Sequence, residues 1–240
     1  MQAQYLKGFI VRTSAIVSAY YAEQYIEGRI ANLMEQSELP EIVVVAKKGS
    51  VEAKKAAGCK VIETDDIPTI YKAWNMAIEA STGDYITNAN CDDRLYPNAL
   101  KLMADTLYTQ PDYAAVYTNV DRVKEIGGPP HAVYEWGEGG LEYMLTKGCF
   151  MGPMPMWRKS LHDKYGLFDP EMRSAGDYEF WMRCLSNGEK FYHIRGATWG
   201  AYLERNDSAE HREKLRSIWE QARAKAKYRQ EVTCLSLIHI

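Results

Sequence analysis

Apolar positions come in short blocks along roughly the first 120 residues, and the blocks change period from one to the next. Ser14-Ala-Ile-Val-Ser18 is a compact apolar run that predicts a strand, and residues 22–36 then place Ala22, Ile26, Ile30, Leu33 and Met34 at helical spacing. Glu41-Ile-Val-Val-Val45 is an almost continuous β-branched run, the pattern of a strand buried on both faces. Val61 and Ile62 predict a third short strand. Residues 69–80 repeat the helical stripe with Ile70, Ala73, Trp74, Ala77 and Ile78, and Asp84-Tyr-Ile-Thr-Asn-Ala89 follows as a strand. Pro97 is expected to open another helix with Leu100, Met103, Ala104 and Leu107 on one face, and Tyr113–Thr118 is again a strand. This alternation predicts an α/β fold: a Rossmann-like, mostly parallel central sheet with flanking helices, joined by right-handed crossovers. Ligands of such sheets bind beyond the carboxyl ends of the strands. Two segments fall there, Ser18-Ala-Tyr-Tyr21 after the first strand and Asn88-Ala-Asn-Cys-Asp-Asp93 after the fourth.

The rest of the chain breaks this rhythm. Residues 124–140 concentrate glycine and proline and predict a long loop, and 148–158 (GCFMGPMPMWR) read as a binding loop. Ser160–Tyr165 is a short helix ended by Gly166, and Asp177–Leu185 is a second. Lys190–Arg195 and Ala197–Leu203 are expected to be paired strands. Asp207 and Glu210 form a capping box for a last helix carrying Leu215, Ile218, Trp219 and Ala222. Cys234–Ile240 (CLSLIHI) continues no upstream periodicity. It resembles adapter read-through and is set aside as a non-native tail, with a short terminal strand as the alternative. A single domain over 1–233 is expected from the length.

Composition narrows the classes. The chain has 240 residues, 46% hydrophobic and 25% charged, which excludes disorder, collagen and coiled coil. With 29 basic and 32 acidic residues the net charge is −3, so no field exists to hold nucleic acid. Seventeen Tyr and six Trp stand against five Phe. Rings with a polar edge suit stacking on sugars or bases, although an aromatic core with wet rims explains the numbers equally. The five cysteines (59, 91, 149, 184 and 234) form no C-x-x-C pair and are odd in number, which argues against disulfides and zinc and for a reducing, cytoplasmic setting. The longest apolar run, Leu6–Ala19, is cut by Lys7 and Arg12, so no membrane span is expected; peripheral placement at the inner membrane surface is the alternative to a purely cytoplasmic one.

Two places carry candidate chemistry. Asp92 and Asp93 follow a strand directly, and adjacent carboxylates repel unless a cation sits near them. Mg²⁺ or Mn²⁺ with a bound diphosphate supplies that cation, while a polar turn with Asp93 capping the next helix explains the pair as well. Asp177 opens the helix in Ser174-Ala-Gly-Asp-Tyr-Glu-Phe-Trp-Met-Arg183 beside a buried stripe of Phe180, Trp181, Cys184 and Leu185. There it could serve as a general base, or simply as a helix cap, with Glu179 as the fallback base.

The ordered set SAIVSAYY, EIVVV, TIYKAWNMAIEASTGDYITNANCDDR, GPMPMWRKSLHDKYGLFD and SAGDYEFWMR resembles the family 2 glycosyltransferases of GT-A fold over roughly residues 12–205. The resemblance implies an inverting, metal-assisted transferase that takes a sugar from a nucleotide-diphosphate donor, UDP by default, to a hydroxyl of a glycan, lipid-linked or protein acceptor, with a nucleotide-binding half over about 12–120 and an acceptor-binding half over about 121–230. It puts Ser18, Ala19 and Tyr20 against the nucleotide, Asn90 and Asp92 in the D-x-D motif with Asp92 as metal ligand, Asp177 as catalytic base, and Pro155, Met156 and Trp157 on the acceptor side. His211, in SAEHRE, is a candidate second metal ligand, against an exposed helix histidine. Two departures stand out. Ala46-Lys-Lys-Gly-Ser50 replaces the family's base-reading acidic pattern, and Asn90 replaces the first Asp of D-x-D. These leave a non-catalytic nucleotide-sugar-binding relative as the second reading. A sugar-1-phosphate nucleotidyltransferase is disfavoured, because SAYYAE lacks the glycine-rich basic loop that holds a triphosphate.

Overall fold

The structure, a computed structural model, describes residues 12–205 and 213–238, the stretch 230–238 as backbone only. The alternating half consists of β1 (Thr13–Ala19), α1 (Ile26–Met34), β2 (Glu41–Lys47), α2 (Val51–Lys55), β3 (Lys60–Thr64), α3 (Ile70–Ala80) and β4 (Tyr85–Asn88). After it come β5 (Arg94–Leu95), α4 (Ala99–Thr109), β6 (Ala115–Val123), β7 (Ala132–Tyr134), α5 (Leu141–Thr146), β8 (Met156–Arg158), α6 (Ser160–Tyr165), α7 (Gly176–Ser186), β9 (Phe191–Leu203) and α8 (Lys214–Ile238).

One sheet runs in the order β3-β2-β1-β4-β8-β6-β9-β5, with β7 added beside β6. The first four strands are mutually parallel. β8 is antiparallel to both β4 and β6, so β6 and its parallel neighbour β9 point the same way as the first four. The sheet is therefore mostly parallel, with β8 reversed in its middle and β5 and β7 antiparallel beside β9 and β6. β2 is buried on both faces, as its apolar run predicts. Val43 and Val45 pack with Trp74, Ala77 and Ile78 of α3, while Ile42 and Val44 belong with Ile26 and Leu33 of α1 and Leu100, Met103 and Leu107 of α4.

Several expectations are corrected. α4 starts at Ala99, two residues after Pro97, because Asn98 adopts the left-handed conformation (φ 67°). Residues 148–158 end in β8, an interior strand, and residues 124–140 contain β7, which folds back on β6. Lys190–Arg195 and Ala197–Leu203 are one strand, β9, not two paired ones. Its register on β6 slips between Thr118 and Asn119, opposite Ile194 and Thr198, so Arg195-Gly196-Ala197 bulge out. A glycine between two apolar runs reads as a turn whether the chain reverses or only bulges. In α8 the predicted apolar face points outward: Leu215, Ile218 and Trp219 are 84%, 55% and 60% exposed, and Ser217, Glu220, Ala224 and Tyr228 form the buried side. Helical spacing reveals a stripe but not the side that meets the core. The Asp207–Glu210 capping box lies outside the described residues.

Candidate active site

The parallel strands deliver their carboxyl ends to one edge. At the end of β1, Ala19 is buried and Tyr20 hydrogen-bonds through its hydroxyl to Thr64 Oγ1 of β3 (2.7 Å). Burial raises the Tyr20 phenol above its usual range against the lowering effect of that bond. Tyr21 beside it is left-handed (φ 56°) and 79% exposed, strain of a kind that collects at ligand-binding edges. At the end of β2, Ala46 is fully buried and Lys47 exposed, so no acid stands at that strand end.

The turn after β4 separates the two aspartates. Asp93 points inward, 1% exposed, and accepts from the Leu203 backbone N–H and from Asn90 Nδ2 (3.2 Å each). Desolvation raises its carboxyl to about 7, helped by the Asp92 charge and opposed by Arg29. Arg29 of α1, itself fully buried, donates to the Asp93 carbonyl (3.1 Å) and to Asn32 Oδ1 (3.0 Å). Asp93 thus braces the turn against β9 and does not cap α4, which has no side-chain cap. Asp92 points outward, with 29% of its side chain exposed and Arg205 Nη1 3.4 Å from its carboxylate. Among the described residues no group of three or more His, Cys, Asp or Glu side chains could cage a metal. A single half-exposed carboxylate suits a hard cation that brings its other oxygen ligands with a diphosphate. His211 lies outside the described residues.

Asp177 sits in the first turn of α7, where Tyr71 of α3 donates its hydroxyl to Oδ1 (2.8 Å). Gly176 makes this approach possible, since a Cβ there would stand 2.7 Å from the Tyr71 ring. Burial and the Asp177 charge raise the Tyr71 phenol far above its normal range, so it stays a proton donor. The segment entering α7 is held from α8: the buried Glu220 carboxylate accepts backbone N–H bonds from Arg173 (3.0 Å), Ser174 (2.9 Å) and Ala175 (3.0 Å). Glu179, one turn face away, is 4% exposed and bound to Arg183, Lys227 (3.0 Å) and Tyr228 (2.6 Å). Burial alone would raise its carboxyl, but these partners outweigh that and hold it below the usual range. Glu179 ties α7 to α8 through these bonds.

Two cavities meet at Asp177. One of about 380 Å³ is walled by Tyr134, Trp136 and Tyr202 on one side and by Cys149, Ser217 and Gln221 on others. A narrower one of about 60 Å³ adds Trp74, Asn88, Asn90, Pro155, Trp157 and Trp181. They share Gly152, Pro153 and Asp177. Gly152 (φ 68°) lets the Trp136 indole lie close, since a Cβ there would be 2.8 Å from Nε1. Tyr134 and Trp136 stack at 5.0 Å, and the buried Trp136 Nε1–H has no partner. A stacked pair with an unused donor at a cavity wall is a ready surface for a sugar ring.

The structure therefore brings Asn90, Pro155 and Trp157 together with Asp177. Ser18, Ala19, Tyr20 and Asp92 stand at the strand ends but line neither cavity. Met156 faces the other side of the sheet in the α1–α4 core, and Trp157 is fully buried with its Nε1–H on His162 Nε2 (2.9 Å). A further cavity of about 720 Å³ beside the Phe191–Arg195 edge holds none of these residues.

Comparison with known proteins decides the family. The profile of glycosyl transferase family 2 matches residues 14–166. The chain belongs to this family. It is 25% identical over 232 residues to the succinoglycan biosynthesis protein ExoU of Rhizobium meliloti, covering 87% of this chain and 68% of that protein. To the chondroitin synthase of Pasteurella multocida it is 23% identical over 204 residues, 82% of this chain. The chain spans only 21% of that synthase and 14% of the uncharacterized Sinorhizobium fredii protein y4gI, to which it is 29% identical over 130 residues. S. aureus TarS (residues 1–349) superposes with TM-score 0.68 at 20% identity, covering 90% of this chain and 65% of that one. The mannosyltransferase PcManGT of Pyrobaculum calidifontis, in complex with GDP-Man and Mn²⁺, gives 0.62 at 17% identity, with 85% and 60% covered. The GT-A architecture expected from the sequence is thereby the fold of this family 2 glycosyltransferase.

Four groups that support its site escape a reading of the sequence. Tyr71, Glu220, Arg205 and the Tyr134–Trp136 pair lie far along the chain from the motifs they serve. The one signal available was the Tyr-x-Trp spacing inside an otherwise polar, glycine-rich stretch.

Proposed function

We propose that the protein transfers a hexose from a nucleotide-diphosphate donor to an acceptor hydroxyl with inversion, in the synthesis of a surface polysaccharide. The observation that carries this reading is the position of Asp177 at the junction of two cavities, one reaching Asn90 at the end of β4, the other walled by aromatic rings. The donor enters from the strand ends with its diphosphate toward Asn90 and Asp92. The acceptor occupies the aromatic cavity, with its hydroxyl on Asp177. Asp177 takes the hydroxyl proton as the acceptor oxygen bonds to the anomeric carbon, and the bond to the diphosphate breaks with its electron pair on the leaving oxygen. Attack opposite the leaving group inverts the anomeric centre. Tyr71 orients the carboxylate and stays protonated while it does so. Asp92, with Asn90 beside it, would hold a divalent cation. When bound with the diphosphate, such an ion neutralises the leaving group's charge.

TarS in complex with UDP-GlcNAc and PcManGT with GDP-Man and Mn²⁺ support a nucleotide-sugar donor and a divalent cation, and they leave the base open between uridine and guanosine. The test is Asp177→Asn, which keeps shape and removes basicity. Turnover with Mn²⁺ should fall at least about a hundredfold while donor affinity stays within about twofold. Full turnover in the variant, or wild-type turnover unaffected by a chelator, would refute the corresponding part of the assignment.

A further inference from the structure

α8 has one side that the fold does not use. At about 100° per residue, Leu215, Ile218, Trp219, Ala222 and Ala226 fall within roughly 60° of one line, opposite the buried Ser217, Ala224 and Tyr228. Leu215, Ile218 and Trp219 are among the most exposed large apolar side chains of the described residues. Basic side chains flank this stripe on both sides: Lys214 and Lys225 along one border, Arg216, Arg223 and Lys227 along the other. Residues 214–229 hold six basic side chains and one carboxylate, in a chain whose net charge is −3. That carboxylate is Glu220, buried on the core side under the Arg173–Ala175 backbone. Arg216 and Lys227 reach inward to Glu213 and Glu179 yet keep 47% and 54% of their side chains exposed. The Arg223 guanidinium lies 5.7 Å from the Trp219 ring centre.

We propose that this face of α8 docks in the plane of an anionic lipid bilayer. The apolar stripe would enter the boundary between headgroups and acyl chains, and the flanking cations would meet lipid phosphates. Three features select this occupant. An exposed Trp and two aliphatic residues at the centre of a helix face, with cations on both borders, match an interfacial helix. Residues 214–229 carry six basic side chains against one carboxylate in a chain that is acidic overall, so this patch complements a negative surface. A second copy is disfavoured, because pairing stripe on stripe would set cationic borders against each other with no carboxylate between them. Ser217 and Gln221 on the inner side of the same helix line the cavity at Asp177. Docking would therefore hold that cavity at the lipid surface, where a lipid-borne acceptor is concentrated.

The proposal stands apart from the catalytic reading, because its test needs no turnover. The full chain is floated with phosphatidylcholine vesicles and with vesicles containing about 30% phosphatidylglycerol, at low and high salt. Flotation with the anionic vesicles only, weakening with salt, is expected. Leu215→Ser with Trp219→Ser should cut the bound fraction at least about tenfold, and Lys214→Gln with Arg223→Gln should do so at intermediate salt. All four positions are exposed, and unchanged circular dichroism melting confirms that the variants fold. No binding to anionic vesicles, equal binding to neutral ones, or undiminished binding by the Leu215/Trp219 variant would overturn the proposal. So would a dimer in solution that the Leu215/Trp219 variant dissolves, since the stripe would then belong to a second copy.

Discussion

At the scale of single residues, neighbours in sequence take opposite roles because their side chains meet different media. Asp92 keeps access to solvent and Arg205, while Asp93 is buried on the Leu203 N–H. Asp177 opens on a cavity, and Glu179 two positions on is consumed by Arg183, Lys227 and Tyr228. His162 shows how burial sets a protonation state. It accepts from Trp157 Nε1, its Nδ1 lies 3.2 Å from the Gly166 carbonyl, and desolvation lowers its pKa from 6.5 to about 4 against the raising effect of that carbonyl. Between those values the unfolded chain binds more protons than the native one. Stability is therefore fully present above about pH 6.5 and is lost as pH falls toward 4, by about 3 kcal/mol from this residue. His162→Gln keeps an acceptor for Trp157 and cannot titrate. Urea unfolding from pH 7 to 4 should show a shallower decline in the variant than in the wild type.

At the scale of elements, α7 is placed by its neighbours more than by its own residues. It has no side-chain cap at Ala175, and its orphan N-terminal region is served by the Glu220 carboxylate from α8. A carboxylate accepting several backbone N–H groups at a helix start is favoured by both hydrogen bonding and the helix dipole. Glu220→Ala would leave those donors unpaired and should cost about 2–4 kcal/mol in chemical denaturation. Glu220→Gln, which keeps one acceptor oxygen, should cost less. Since the same contact positions Asp177, the glutamine variant should lose turnover while its KM for the donor stays unchanged. A loss shared equally between kcat and KM would assign Glu220 to stability alone.

At the scale of the molecule, the sheet divides the work. The strands from β1 to β4 bring their carboxyl ends to one edge, and the chain from β6 to α8 builds the aromatic cavity beside it. The wall formed by Tyr134, Trp136, Cys149, Gly152 and Pro153 comes from the connection between β6 and β8, which is poor in regular backbone bonding. Segments of that kind open locally at low cost and are ordered by what they cover. Hydrogen exchange across 134–153 should slow when UDP and Mn²⁺ are added together. Unchanged exchange there would mean that the wall is already rigid without donor. Among the described residues no helix is long and apolar enough to cross a membrane.

Elements whose evidence is local were legible in the chain itself. β1, β2, α3 and α4 carry enough consecutive residues of one period to announce themselves, while Asn90, Asp92 and Asp177 were singled out as site candidates by the family resemblance. The mostly parallel sheet follows from the same alternation, whereas the order β3-β2-β1-β4 does not, because alternation sets strand direction and crossover hand but not which strands become neighbours. Tertiary structure decided what depends on partners remote in sequence. Met156-Trp157-Arg158 is too short to show a strand period, and only the gap between β4 and β6 makes it β8. The stripe on α8 was visible, but not the side that the core would claim, because Ala224, Tyr228 and the bonded Glu220 fit against α7 better than Leu215 and Trp219 do. Tyr71 and Glu220 meet Asp177 and its loop across 106 and 45 positions of chain. Periodicity records which residues avoid water within one element. The choice of contact between elements is made by packing and hydrogen bonding over the whole fold, and it leaves no local trace.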